Sequence, residues 1–127
     1  MRELGKIFSF SAAHRLPSHK GLCRRLHGHT YKLEVRVSGE PITSQICPDW
    51  GMIIDFTELK NIVKEVVLDS HDHVYLNDIY PNPTAEVMVY AIAKAIHEKL
   101  PVRVHLKMVK LWETETSYAI WKTTENL

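Results

Sequence analysis

The chain has few of the features that mark a specialised class. Two cysteines are too few for the disulfide framework of a small secreted domain. A reducing cytoplasm is therefore the expected home, where a free thiol keeps its chemistry. No apolar run approaches the roughly 20 residues that span a bilayer, so no membrane association is expected. The N-terminus lacks the long apolar core of a secretion signal. Charge is nearly balanced, 16 Lys and Arg against 15 Asp and Glu, which argues against nucleic acid held by bulk electrostatics. There is no short-period repeat, no low-complexity tract and no linker. What is left is 127 residues of ordinary globular composition, expected to form one domain over residues 1–127.

Histidine is the residue in excess, with eight copies. Two of them lie in the stretch Cys23-Arg-Arg-Leu-His27-Gly-His29, just before the alternating run Tyr31, Leu33, Val35 and Val37. That alternation predicts a half-buried β-strand. Side chains two apart on a strand share a face, roughly 6–7 Å apart at the backbone, so His27 and His29 can converge. Gly28 between them permits close approach to the backbone. A first strand over 3–14 ends near His14. Pairing the two strands as an antiparallel hairpin, the natural topology for neighbours in sequence, adds His14 to the pair. Three neutral imidazoles suit Zn²⁺ at about 2.0–2.1 Å and leave a fourth position for water or substrate.

The remaining elements follow from caps and breakers. Residues 15–22 form a loop marked by Pro17 and Gly21, the second strand spans about 29–38, and 39–51 is a surface connection. Asp55 with Glu58 is a capping-box pattern, and Leu59, Ile62, Val63 and Val66 recur at helical spacing. This helix is expected to end near Leu68, leaving Asp69–Asp78 irregular. Thr84 caps a second helix with a broad apolar face, closed by Pro101. Val102, Val104, Leu106 and Met108 alternate as a third strand. A phase change at Val109 and Leu111 implies a bulge or a change of buried face. Glu113–Ser117 reads as a hairpin turn into a fourth strand over 117–122. The order is β-β-α-α-β-β.

Four further groups bear chemistry. Cys23 is either a fourth ligand closing a structural metal site or a thiolate base beside Arg24 and Arg25. Asp72-His73 is either a turn with a surface imidazole or a general acid/base pair, with Asp69 and His71 as rivals. Glu113 either caps its turn or accepts two parallel N–H donors from a heterocycle edge. Lys20, Arg24 and Arg25 suit an anionic substrate, or simply a solvated loop.

Taken together the chain resembles the 6-pyruvoyltetrahydropterin synthase / 6-carboxytetrahydropterin synthase family over nearly its whole length. The resemblance rests on Phe10-Ser-Ala-Ala-His14, Cys23-x3-His27-Gly28-His29, Gly51-Met-x-x-Asp55-Phe56, Asp72-His73-x-x-Leu76-Asn77, Pro83-Thr84-x-Glu86 and Glu113-Thr114. It implies an α+β fold, a four-stranded antiparallel sheet with two helices on one face (the T-fold), assembling through its sheets into a barrel-like homo-oligomer, a trimer or hexamer. It also implies zinc on His14, His27 and His29, with Cys23 as proton-abstracting base and Asp72 and His73 working with it. Glu113 would hold the pterin ring, and Thr84 and Glu86 would line the pocket. The implied substrate is 7,8-dihydroneopterin triphosphate, and the implied reaction is that of a lyase. The short Cys-x3-His-Gly-His spacing resembles the bacterial carboxy-forming branch that feeds 7-deazaguanine and queuosine synthesis. The family's usual Asn after Pro-Thr-x-Glu is Val87 here.

Overall fold

A computed structural model describes residues 1–127. Its frame is a long hairpin, β1 (Arg2–His14) against β2 (His27–Gly39), in unbroken antiparallel register from Arg2↔Gly39 to His14↔His27. β3 (His105–Trp112) pairs with β2, and β4 (Tyr118–Lys122) pairs with β3, giving the sheet order β1-β2-β3-β4. The second strand starts two residues earlier than its alternation suggested. Both His27 and His29 therefore lie inside the ladder and share a face. The third strand starts later than expected, because Pro101–Val104 forms a turn (Val104 N–H to Pro101 O, 2.9 Å) that leaves Val102 exposed.

Two helices cover one face of the sheet. α1 runs as an α-helical segment Phe56–Val63, a π-helical segment Lys64–Leu68 and a last turn Asp69–His71. Asp55 caps it by accepting the Thr57 N–H at 2.7 Å. α2 spans Ala85–Lys99 and is capped by Thr84, whose Oγ1 accepts the Val87 N–H at 3.2 Å. The expected end of α1 at Leu68 is corrected. Leu59, Val63, Val67 and His71 are all buried at a spacing of four. With about 3.6 residues per turn, such a stripe drifts round the helix by roughly 40° per step. The wider π turn cancels that drift and returns His71 to the core face.

The core lies between the sheet and the helices. Phe8, Phe10 and Ala12 of β1, Tyr31, Leu33, Val35 and Val37 of β2, and Leu106, Val109 and Leu111 of β3 face Leu59, Val63, Val67, Met88, Ile92 and Ile96. Each fully buried side chain of this size contributes about 1.5–3 kcal/mol. The expected phase change in β3 is a bulge: Arg36 opposes Met108 but Val37 opposes Leu106, leaving Lys107 as the extra residue. Leu106 and Val109 thereby reach the same core.

The outer edge of β1 is partly covered by the chain after α1. His73 N–H donates to Ser11 O at 2.6 Å, and Ala13 N–H donates to Val74 O at 3.0 Å. The Asn77 amide continues the pattern, accepting Arg15 N–H and donating to Arg15 O, both at 2.9 Å. Segment 72–77 is thus held against the end of β1 that carries His14.

Candidate metal centre and active site

His14 and His27 end β1 and begin β2 as directly opposed residues, and His29 lies two residues further along the same face. The His29 ring stands nearly perpendicular to the other two, which are inclined at 66°, and the centroids are 4.6, 5.0 and 4.9 Å apart. One nitrogen from each lies within 4.8 Å of the others. Backbone carbonyls set two of the tautomers, since a carbonyl can only accept. His14 Nδ1 donates to Pro83 O at 2.9 Å, and His27 Nδ1 donates to Arg25 O at 2.7 Å. Both Nε2 lone pairs are left facing each other at 3.0 Å. Two acceptors at that distance repel unless a cation or a proton lies between them.

His29 Nε2 is buried with no hydrogen-bond partner. Glu113 Oε1 stands 3.3 Å away, close enough for an ion pair but not aligned to accept a hydrogen bond. Burial holds His29 below the ordinary imidazole value. The Glu113 charge pulls the other way, and the two neighbouring imidazoles lower it further. A neutral imidazole with an orphaned buried nitrogen, beside two converging lone pairs, fits a first-row divalent cation such as Zn²⁺. The outward hydrogen bonds of His14 and His27 are the kind that orient ligating imidazoles.

Beneath the triad lies Tyr31, fully buried, its hydroxyl 3.4 Å from His14 Nδ1 and its ring stacked on Phe10 at 5.0 Å. Burial, reinforced by the Glu113 charge, pushes its phenol well above the ordinary value. Sequence reading missed it, although it shares strand parity with His27 and His29.

Asp72 and His73 leave the end of α1 in contact, His73 Nδ1 to Asp72 Oδ1 at 3.0 Å. The Ser11 N–H donates to the same oxygen at 2.9 Å. That backbone bond, then the His73 contact, holds the Asp72 carboxyl below the usual range. His73 adopts φ 58°, left-handed backbone unusual for a side chain this large. It is exposed and overlooks a groove of about 550 Å³ lined by Ser11, Ala13, Gly28, His29 and Thr30. The rivals take other parts. Asp69 pairs with Lys64 at 2.7 Å on the surface, and His71 is buried in the core.

Glu113 and Glu86 line a second groove of about 540 Å³ with Val89, Tyr90 and Tyr118. His29 joins the two grooves, lining the first and facing Glu113 of the second. Pro83-Thr84-Ala85-Glu86 serves three purposes in four residues: Pro83 orients His14, Thr84 caps α2 and Glu86 faces the groove. Cys23 sits half-buried in a 3₁₀ turn, Leu22–Arg24, tied to the start of the same loop by the Leu16 N–H on its carbonyl at 2.7 Å. Its sulfur is not among the atoms that gather at the triad, and it lines neither groove.

Residues 3–124 match the family described as PTPS, 6-pyruvoyl tetrahydropterin synthase. The chain is 35% identical to a 6-carboxy-5,6,7,8-tetrahydropterin synthase of Haemophilus influenzae, covering 93% of this chain and 96% of that one. It is 41% identical over 105 residues to a dihydroneopterin monophosphate aldolase of Pyrococcus furiosus, covering 83% of each. In three dimensions it is similar to 6-pyruvoyl tetrahydropterin synthase of Caenorhabditis elegans, with TM-score 0.78 at 28% identity over 95% of this chain and 94% of that one. The chain belongs to the 6-pyruvoyl tetrahydropterin synthase family of enzymes.

Proposed function

We propose that the protein is a zinc-dependent 6-carboxytetrahydropterin synthase acting on 7,8-dihydroneopterin triphosphate. The products would be 6-carboxy-5,6,7,8-tetrahydropterin, acetaldehyde and triphosphate, on the route to 7-deazaguanines and queuosine. The observation that carries this reading is the convergence of His14, His27 and His29 with Glu113 set against them, in a chain similar to named synthases of that kind.

His14, His27 and His29 would hold the metal, which when bound supplies Lewis acidity toward side-chain oxygens and acidifies the adjacent C–H bonds. The remaining roles belong to this chain's residues. Glu113 would accept the paired N–H donors of the pterin edge and so fix the ring, with Thr84 and Glu86 along the same wall. Cys23, as thiolate, would take a carbon-bound proton. Asp72 holds the Nδ1 proton of His73, which leaves Nε2 of His73 to take or give a proton during tautomerisation. The ionised state of Asp72 is maintained by the Ser11 N–H.

Assembly through the sheet edges into a trimer or hexamer completes the reading. β1 and β4 are the two edge strands, and Ile7, Tyr118 and Ile120 are exposed on them. A cytoplasmic location accords with two free cysteines.

The test is to incubate zinc-loaded protein with dihydroneopterin triphosphate and assay acetaldehyde. Triphosphate release without acetaldehyde would support a pyruvoyl-forming synthase instead. The Pyrococcus relative motivates a second arm with the monophosphate. A phosphorylated two-carbon aldehyde from that substrate would favour an aldolase.

A further inference from the structure

Resting on that reading, we infer that the loop between β1 and β2 is the grip for the substrate's oligophosphate arm, and that it selects a triphosphate ester over a monophosphate. Residues Arg15 to Leu26 include Arg15, Lys20, Arg24 and Arg25 and no acid. The rest of the chain holds 12 of the 16 Lys and Arg against all 15 acids. A chain that is otherwise net negative thus gathers a quarter of its cations into twelve residues.

All four side chains are exposed, and no carboxylate lies within 4.0 Å of any of them. Several cations elsewhere have local partners. Arg36 pairs with Glu34 at 2.7 Å, Lys64 with Asp69 at 2.7 Å, and Lys32 lies over the Trp112 ring at 3.9 Å. Like charges kept together without internal acids repel one another, and that repulsion is relieved when an anion binds.

The loop's backbone is constrained where the charges sit. Leu16 N–H to Cys23 O closes it at 2.7 Å, and Arg25 N–H to Leu22 O fixes its last turn at 2.9 Å. The Asn77 amide grips both backbone groups of Arg15, each at 2.9 Å. The two ends abut the triad: Arg15 follows His14 directly, and the Arg25 carbonyl orients His27 at 2.7 Å. A cationic strip therefore begins and ends at the metal histidines, with Cys23 inside it. Guanidinium pairs match phosphate oxygens bidentately. A monophosphate carries about −1.5 to −2 at pH 7, which two cations would balance. Four cations match the larger charge of an oligophosphate.

The experiment compares zinc-loaded wild type with R24Q/R25Q, K20Q and the control K107Q/K122Q, whose lysines lie on β3 and β4. Steady-state kinetics use the triphosphate ester, and equilibrium binding uses phosphate-free dihydroneopterin. R24Q/R25Q should raise KM by about tenfold or more with kcat within about threefold. The dihydroneopterin Kd should be unchanged, and kcat/KM should depend less steeply on salt. The control pair should move none of these. An unchanged KM, a loss confined to kcat, or equal weakening of both ligands would overturn the grip. So would a change of oligomeric state with unaltered kinetics, which would make the loop a contact between copies. If wild type binds dihydroneopterin and turns over while the variants match it, only the grip falls. If wild type does neither, the synthase reading falls and the grip with it.

Discussion

The Tyr80 hydroxyl donates to Nε2 of His71 across 2.6 Å, closing the base of the loop that carries Asp72 and His73. The other ring nitrogen donates to Val67 O at 2.8 Å, so both ring nitrogens are engaged. Its edge meets the Phe10 ring, centroids 5.7 Å apart. Helix end, loop and first strand are thus joined at one buried residue. Burial holds His71 below the ordinary imidazole value and pushes the Tyr80 phenol up to about 12.

That environment predicts acid sensitivity of a definite sign. Below about pH 6.5 the unfolded chain takes a proton at His71 that the folded chain resists. Stability should therefore fall as pH drops below that value, by up to about 1.4 kcal/mol per unit, until the lowered folded pKa is reached. Urea unfolding of wild type and His71→Leu between pH 7 and 5 should give a flatter profile for the variant. Equal profiles would mean that His71 takes its proton alike in the folded and unfolded chain, and would overturn this prediction. Tyr80→Phe alone should cost about 1–3 kcal/mol by orphaning Nε2, and adding His71→Leu should recover part of it.

The triad should bind close to one Zn²⁺ per chain by elemental analysis, and His27→Ala should abolish that. Chelation should lower Tm and zinc should restore it, because the metal binds the folded state alone. Saturation at about 1,000 Kd corresponds to about 4 kcal/mol. Undiminished zinc in His27→Ala would remove His27 from the ligand set.

Cys23→Ala separates a base from a ligand. The expected variant keeps its zinc and its fold but loses turnover by about 10²-fold or more. Loss of zinc would instead make the thiol the fourth ligand of a closed site.

Glu113→Ala should raise KM, or the Kd of a phosphate-free pterin, by about tenfold or more, in line with a charge-assisted pair of hydrogen bonds. Unchanged affinity with collapsed kcat would place Glu113 among the proton-transfer groups. Because Glu113 also faces His29, zinc content is the accompanying control.

Much of this was legible in the sequence where one physical rule dominated. Alternation placed the hairpin and signalled an irregularity in β3, found at Lys107, and capping residues placed the starts of both helices. Two-residue spacing put His27 and His29 on one face. The polar run Asp69–His71 misled, because helix length there is decided by burial of His71, which bonds to Val67 of its own helix and to Tyr80 beyond it, although the residue looks solvent-facing. The start of β3 misled because alternating valines beside Pro101 can sit in a turn as readily as in a strand. Orientation of the ligands was illegible for a different reason. The orienting groups are carbonyls of Pro83 and Arg25, and a backbone acceptor leaves no signature in residue type.

The bond from His14 to Pro83 links residues 69 apart. β1 and β2 can close their ladder early, since only a twelve-residue loop separates them and local contacts form fastest. The imidazole at the tip of that hairpin finds its Pro83 acceptor only once the chain has returned past α1. The orientation of His14 within the triad is therefore reached only when residues far apart in sequence have met. A half-folded chain that has formed only this hairpin already carries all three histidines, but His14 lacks the carbonyl that orients it.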